Sequence, residues 1–328
     1  MKRYLILLII FVVILLGSCA IPNEPKIDND QKLEIETYYQ TVGYARDVYV
    51  TNENVFIAED QAGFSIFNLD GSFILQYTAS IDNARLITVL EEDSLLFVYD
   101  IYSDPAAILV FDISNLPEIS IKPPITGQTG GIEDLIIKRN EESGDNEVSW
   151  TYENKVRFGT YNGIWEGQAN FNSYQNSVAG LDYSEENIFV CGEQIGVYIS
   201  SRETSDLQNT INTAGQALDV RFVDNKIFVA CREEGLEIID VLDIQNPNLI
   251  YSTDTSGYAQ SIDVEGDILA VASGGGGLYV YDISNLENVT LIGNLSAEIG
   301  YTYKTFIKNG KIYAATKDGV YKIVVKSG

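Results

Sequence analysis

The chain has 328 residues, 45% of them apolar, and a formal charge of −26 from 47 acidic and 21 basic side chains. Such a field repels phosphate backbones and anionic lipid headgroups, which excludes nucleic acid as a partner and leaves divalent cations, cationic peptides and neutral glycans. No histidine is present, so a Ser-His-Asp triad, a Cys-His pair and any imidazole metal site are excluded as well.

The chain opens with Lys2 and Arg3, continues as an apolar run over residues 4–16, and closes that run with the small pair Gly17-Ser18 before Cys19. Charged n-region, apolar h-region and small cleavage site make residues 1–18 a signal peptide. Its apolar part is shorter than the roughly 20 residues a helix needs to cross a bilayer. Leu16-Gly17-Ser18-Cys19 resembles the lipobox of bacterial lipoproteins. The resemblance implies that the Cys19 thiol receives diacylglycerol and becomes the mature N-terminus, so that acyl chains such as palmitate hold an exported, otherwise soluble polypeptide at a membrane leaflet. Ala20 stands where an aspartate would resemble an inner-membrane retention signal. That favours the outer membrane of a two-membrane cell and leaves its periplasmic and surface faces both open. Residues 19–32, polar and carrying Pro22 and Pro25 without an apolar period, predict a flexible tether.

From residue 33 to 328 the sequence predicts one all-β domain, rich in Tyr, Phe, Val and Ile. Its first segment, Leu33-Glu34-Ile35-Glu36-Thr37-Tyr38-Tyr39 followed by Gly43-Tyr44-Ala45, matches Leu249-Ile250-Tyr251-Ser252 followed by Gly257-Tyr258-Ala259 far downstream. A second phrase recurs through the chain: Gly63-Phe64-Ser65-Ile66-Phe67-Asn68, Ala107-Ile108-Leu109-Val110-Phe111-Asp112, Gly235-Leu236-Glu237-Ile238-Ile239-Asp240 and Gly277-Leu278-Tyr279-Val280-Tyr281-Asp282. Its starts fall at Gly63, Ala107, a degenerate position near Lys155, Gly196, Gly235, Gly277 and Gly319. A fixed period of this length marks one supersecondary unit, copied here seven times. The polar stretch Glu141-Glu142-Ser143-Gly144-Asp145-Asn146 lengthens the third copy. Within a unit, short strands alternate with turn formers such as Asp224-Asn225 and Gln245-Asn246-Pro247-Asn248, and the Gly of Gly-Leu allows a tight turn into the third strand.

The last unit, residues 301–326, supplies only three strands, and the missing fourth is the N-terminal segment 33–39. An N-terminal strand that completes the C-terminal sheet closes a ring and protects strand edges, for which an open solenoid has no use. The predicted fold is a seven-bladed β-propeller of four-stranded antiparallel blades around a channel. The segments 235–247 and 277–286 resemble the LVIVD repeat of bacterial and archaeal cell-surface propellers. The resemblance spans units one, two and four to seven, is strongest in five and six, and fades in three. It implies a surface propeller and brings no catalytic motif or agreed ligand with it.

In such a ring the links between blades and those joining second to third strands gather at one mouth of the channel, and loops on a rigid scaffold are where binding resides. The first set contributes Tyr44, Asn83, Gln216, Tyr258 and Tyr301, the second Asp60, Asp100, Tyr102, Asp104, Glu193, Glu233, Glu234 and Asp318. One reading is an acidic, tyrosine-bearing rim for a glycan, a basic peptide or a cation. The other is that Gly-Tyr-Ala is the repeat's own turn, its Tyr packed against the next blade. Arg46, Arg85 and Lys304 begin inner strands of blades one, two and seven and are expected to line the channel, either clamping a carboxylate or neutralising neighbours such as Asp47. Cys191 and Cys231 stand one residue out of step near the ends of equivalent strands, which predicts opposite sheet faces and free thiols, with a disulfide the alternative in an oxidising envelope.

Two motifs add little. Gly274-Gly275-Gly276-Gly277 lacks the Lys-Ser/Thr of a phosphate loop, and Asp100-Ile101-Tyr102-Ser103-Asp104 offers two carboxylates to Ca²⁺ without the Gly and distal Glu of a calcium loop. No cofactor is predicted, with Ca²⁺ the one metal left open. The leading expectation is a non-enzymatic, lipid-anchored binding or scaffold module of the cell envelope with a protein or polymeric partner. The alternative is a carboxylate- or Ca-dependent hydrolase or lyase, since glycoside chemistry needs only two carboxyl groups about 5 to 9.5 Å apart.

Overall fold

The computed structural model describes residues 25–28, 30–102, 107–127, 129–167 and 172–327. The signal peptide, Cys19 and Asp104 lie outside the described residues.

Blade five shows the plan on which the ring is built. Its strands Asp219–Val223, Lys226–Ala230, Leu236–Asp240 and Asn248–Thr253 pair in sequence order as an antiparallel meander. The other blades occupy residues 47–77, 84–126, 132–173, 181–211, 261–295 and 302–327. Second and third strands lie between neighbouring blades, so both of their faces are covered. Residues 227–230, all apolar, and 236–239, apolar but for Glu237, are accordingly buried without interruption in place of an alternation. The core is divided among the blade interfaces: Phe228, Leu236 and Ile238 of blade five pack with Ile262, Leu269 and Val271 of blade six.

Three local features explain the repeated phrase. Gly277, at φ +79, turns the chain into a third strand where a Cβ would meet the Leu295 carbonyl oxygen, so only glycine fits. The Asp that ends the phrase accepts the N–H two residues on: Asp112 from Ser114 at 3.0 Å, Asp240 from Leu242 at 2.9 Å and Asp282 from Ser284 at 2.8 Å. This Asx turn starts the loop to the outer strand. A register shift then recurs between third and fourth strands, at Ile66/Phe67, Ile199/Ser200, Ile238/Ile239 and Val280/Tyr281, a bulge that adds twist as each blade leaves the axis. Where the phrase degenerates, in blade three, the outer strand is split into Trp165–Gly167 and Asn172–Ser173, both paired to Lys155–Tyr161.

The ring closes as the sequence predicts. Gln31–Gln40 pairs antiparallel with Gly319–Ser327, Leu33 opposite Val325 and Tyr39 opposite Val320. Part of the segment 19–32, expected as a flexible tether, is paired instead. Lys26–Ile27 pairs in parallel with Thr290 and Leu291 on the outer edge of blade six, and the closing strand begins at Gln31. Two residues are too few to show a period, so this edge pairing left no mark in the hydrophobic pattern.

Cys191 and Cys231 are free, buried thiols in one core cluster between blades four and five. One step out of phase puts them on opposite faces of equivalent strands, and because the two blades are neighbours those faces meet.

Candidate binding face and channel

Inner strands of the blades carry five aspartates into the channel, and each braces the following blade by accepting a backbone N–H. Asp47 accepts from Ile87 at 2.9 Å, Asp134 from Leu181 at 3.0 Å, Asp182 from Phe222 at 2.8 Å, Asp219 from Ile262 at 3.1 Å and Asp263 from Ile307 at 2.6 Å. Cations thread between them. Lys304 Nζ lies 3.4 Å from Asp219 and 3.9 Å from Asp134, Arg221 lies 2.9 Å from Asp219 and 3.7 Å from Asp263, and Lys138 lies 2.7 Å from Asp182. Burial pushes the Asp47 and Asp263 carboxyls up to about 6, partly opposed by Lys304 and Arg221 respectively. Burial acts upward on Asp219 too, but Arg221 and Lys304 outweigh it and leave that carboxyl below the ordinary range. Burial would likewise lower Lys304, and Asp219 with Asp134 more than reverse it.

Of the three cations expected along the channel, Lys304 belongs to this network, while Arg46 and Arg85 sit nearer the mouth on a different carboxylate. Arg46 gives Asp60 two hydrogen bonds, at 3.0 and 2.9 Å, and Arg85 lies 3.6 Å from the other oxygen of Asp60, which also accepts from Asn83 at 2.6 Å. The partner of the arginines is thus Asp60 rather than Asp47. Asp60, at φ +55, exchanges backbone hydrogen bonds with Ala84 at the start of the next blade; at the corresponding place the Glu193 carbonyl accepts the Ala217 N–H.

The Gly-Tyr-Ala tyrosines are half-exposed at the mouth. Tyr44 and Tyr258 each show 48% of their surface, so neither is buried in a blade interface. At the seam of blades seven and one, Tyr44 stacks at 6.5 Å on Tyr303, whose ring carries Arg46 at 4.3 Å and touches Tyr301 at 4.8 Å. Lys317 stands 4.9 Å over Tyr301. Tyr258 carries Arg232 at 5.3 Å, and Arg232 pairs with exposed Glu233 at 3.4 Å. Tyr303, Lys317 and Arg232 extend the predicted set. Tyr303 lies two residues beyond Tyr301, and only the fold shows that it meets Tyr44.

Asp318 is exposed, and its carbonyl accepts from the Tyr38 hydroxyl. Asp100 is fully buried and accepts the N–H groups of Asp82, Asn83 and Tyr102, so it ties its own loop to the link that enters blade two. Burial raises the Glu133 carboxyl, and nearby Glu193 adds to the effect.

The opposite face, formed by first-to-second and third-to-fourth turns, holds two clefts that the sequence reading did not anticipate. One of about 880 Å³ lies between blades one and two, lined by Asn54, Phe56, Glu91, Ile113 and Leu116. The other, about 950 Å³, spans blades three to five. In it Tyr183 is sandwiched by Lys138 at 4.3 Å and Arg202 at 4.4 Å, and Phe189 stacks on Phe222 at 5.1 Å. Among the described residues no helix is long and apolar enough to cross a membrane.

The LVIVD repeat family matches residues 214–255 and 256–296, which are blades five and six. No curated protein matches the chain. Among solved structures, the chain is similar to a computationally designed protein, Ika8, with a TM-score of 0.68 at 11% identity, covering 89% of this chain and 99% of that one. At that identity the likeness bears on fold alone. The chain is a seven-bladed β-propeller that carries LVIVD repeats.

Proposed function

We propose that this propeller is a lipid-anchored module of the bacterial envelope, held through Cys19, that binds a protein or glycan partner at its tyrosine mouth without catalysing a reaction. The observation that carries the reading is that half-exposed tyrosines at two equivalent blade starts each carry an arginine on the ring, Tyr44 the Arg46 two residues on and Tyr258 the Arg232 of the preceding blade's second-to-third turn. A tyrosine offers a large apolar face and a hydroxyl at low entropic cost, and Tyr and Arg are the side chains that dominate recognition surfaces. The five channel aspartates are each engaged with a backbone N–H of the next blade, a structural duty that counts against those five as the carboxyl pair of an enzyme.

Photo-reactive residues placed at Tyr44 and Tyr258 in living cells test the mouth. Discrete adducts from both positions, reduced by Arg46→Gln and Arg232→Gln, support it. Adducts no more frequent than from an exposed residue such as Ile121 on the side of blade two count against it. Cys19→Ser tests the anchor separately and is expected to move the protein from the membrane to the soluble fraction.

A further inference from the structure

The route by which the chain joins the ring fixes which face lies toward its N-terminus. Lys26 and Ile27 run parallel to Thr290 and Leu291, at the end of blade six's outer strand that follows its third-to-fourth turn. The closing strand then leads away from that end and finishes with Gln40 opposite Gly319, beside the mouth. The backbone therefore arrives from the face bearing the first-to-second and third-to-fourth turns. Cys19 precedes Lys26 by only seven residues, an extended reach of at most about 25 Å at roughly 3.3–3.6 Å per residue.

That same face has an apolar outer rim. Phe73, Ile164, Leu207, Leu242, Leu249 and Ile27 are each more than half exposed. They stand in or just after third-to-fourth turns of blades one, three, four and five, or on the incoming edge strand beside blade six. The mouth presents tyrosines instead, with Val42 its exposed aliphatic. Exposed acids stand on both sets of turns of this face, Glu92, Glu141 and Glu186 on first-to-second turns and Asp70, Glu203, Asp243 and Glu287 between the apolar side chains of the rim.

We infer that the turn face is seated on the membrane surface that holds the Cys19 acyl chains, with its apolar rim at the headgroup boundary and the tyrosine mouth turned away. The inference rests on the lipid-anchor reading above. The two acyl chains of a diacylglycerol on Cys19 would hold the chain at the leaflet by themselves, so what the rim adds is a fixed orientation of the domain rather than the attachment. These acids repel anionic headgroups, so the surface that fits is zwitterionic.

The chain without residues 1–18, coupled through Cys19 to a maleimide lipid in phosphatidylcholine vesicles doped with a diazirine phospholipid, reads the orientation by mass spectrometry after illumination. Cys191 and Cys231 are buried and remain uncoupled. The expected result is lipid adducts concentrated on peptides containing Phe73, Ile164, Leu207 and Leu242, with most of the yield lost in the Leu207→Glu, Leu242→Glu double variant. Adducts centred on Val42 and Tyr258, spread evenly over both faces, or absent from the anchored protein would overturn the inference. Protein extracted from native membranes reports separately on the anchor. A Cys19 without added lipid mass removes that reading alone, because the coupled chain still shows which face meets lipid.

Discussion

Lys304 of blade seven places its Nζ 3.4 Å from Asp219 of blade five, reaching past blade six across the channel. Asp219 also holds Arg221 and the Ile262 N–H, so one carboxylate ties three blades together. Replacing Lys304 by Met leaves Asp219 and Asp134 without their shared cation. Removing one member of a buried ion pair costs about 3–5 kcal/mol, which urea denaturation would read, and adding Asp219→Asn to the variant is expected to restore part of the loss. A loss under about 1 kcal/mol, the size of an exposed pair, would contradict the network.

The same channel sets an unusual pH profile. Burial raises Asp47 and Asp263 from the ordinary 3.8 to about 6, so between those values the folded state binds more protons than the unfolded state. Stability therefore falls as pH rises through that window, by up to about 3 kcal/mol for each group. Asp219 acts oppositely: held below the ordinary range, its contribution is present above the unfolded value and is lost as pH falls below it. The urea midpoint is expected to be higher near pH 5 than near pH 7.5, and to drop again below about pH 4. Self-repulsion of the net charge slopes the same way, so the decisive comparison is the Asp47→Asn, Asp263→Asn variant, whose profile should be flatter.

Closure concentrates its energy in one of two adjacent tyrosines. Tyr39 is fully buried, donates to the Leu69 carbonyl at 2.9 Å and packs on Phe67 at 5.7 Å, whereas Tyr38 is 41% exposed. Tyr39→Ala is expected to cost about 3–5 kcal/mol, the range for a large buried aromatic, and Tyr38→Ala much less. Equal effects in thermal or urea unfolding would mean the register is off by one.

Thiol titration checks the core and the anchor together. Burial drives both the Cys191 and Cys231 thiols above the ordinary range, so neither should react with an aromatic disulfide reagent in the native protein. In denaturant, two thiols are expected from membrane-extracted protein if Cys19 is a thioether. Three would show that it is not.

The architecture was legible in the sequence because its signals are local and repeated. The Gly-Leu phrase, the Asp that closes its Asx turn and the match between segments 33–45 and 249–259 each fall within a few residues. The channel network was not. Lys304 stood out as an inward cation, but its partners Asp219 and Asp134 are far away in sequence, and only the ring brings them together. Asp100 reads in sequence as a possible ligand, since a carboxylate that accepts backbone N–H groups of two neighbouring loops cannot be told from a free one by residue type. The cleft around Tyr183 on the turn face combines three blades with no shared motif, which leaves nothing for a repeat to reveal.

Every surface assignment rests on the N-terminal strand's being zipped to the C-terminal one. Native-state hydrogen exchange of the amides in Leu33–Tyr39 measures that pairing directly. Protection matching that of their partners Val320–Val325 is expected, because strands of one closed sheet open together. Exchange of those amides at the rate of an unstructured chain, with the rest of the blade still protected, would contradict the closed ring.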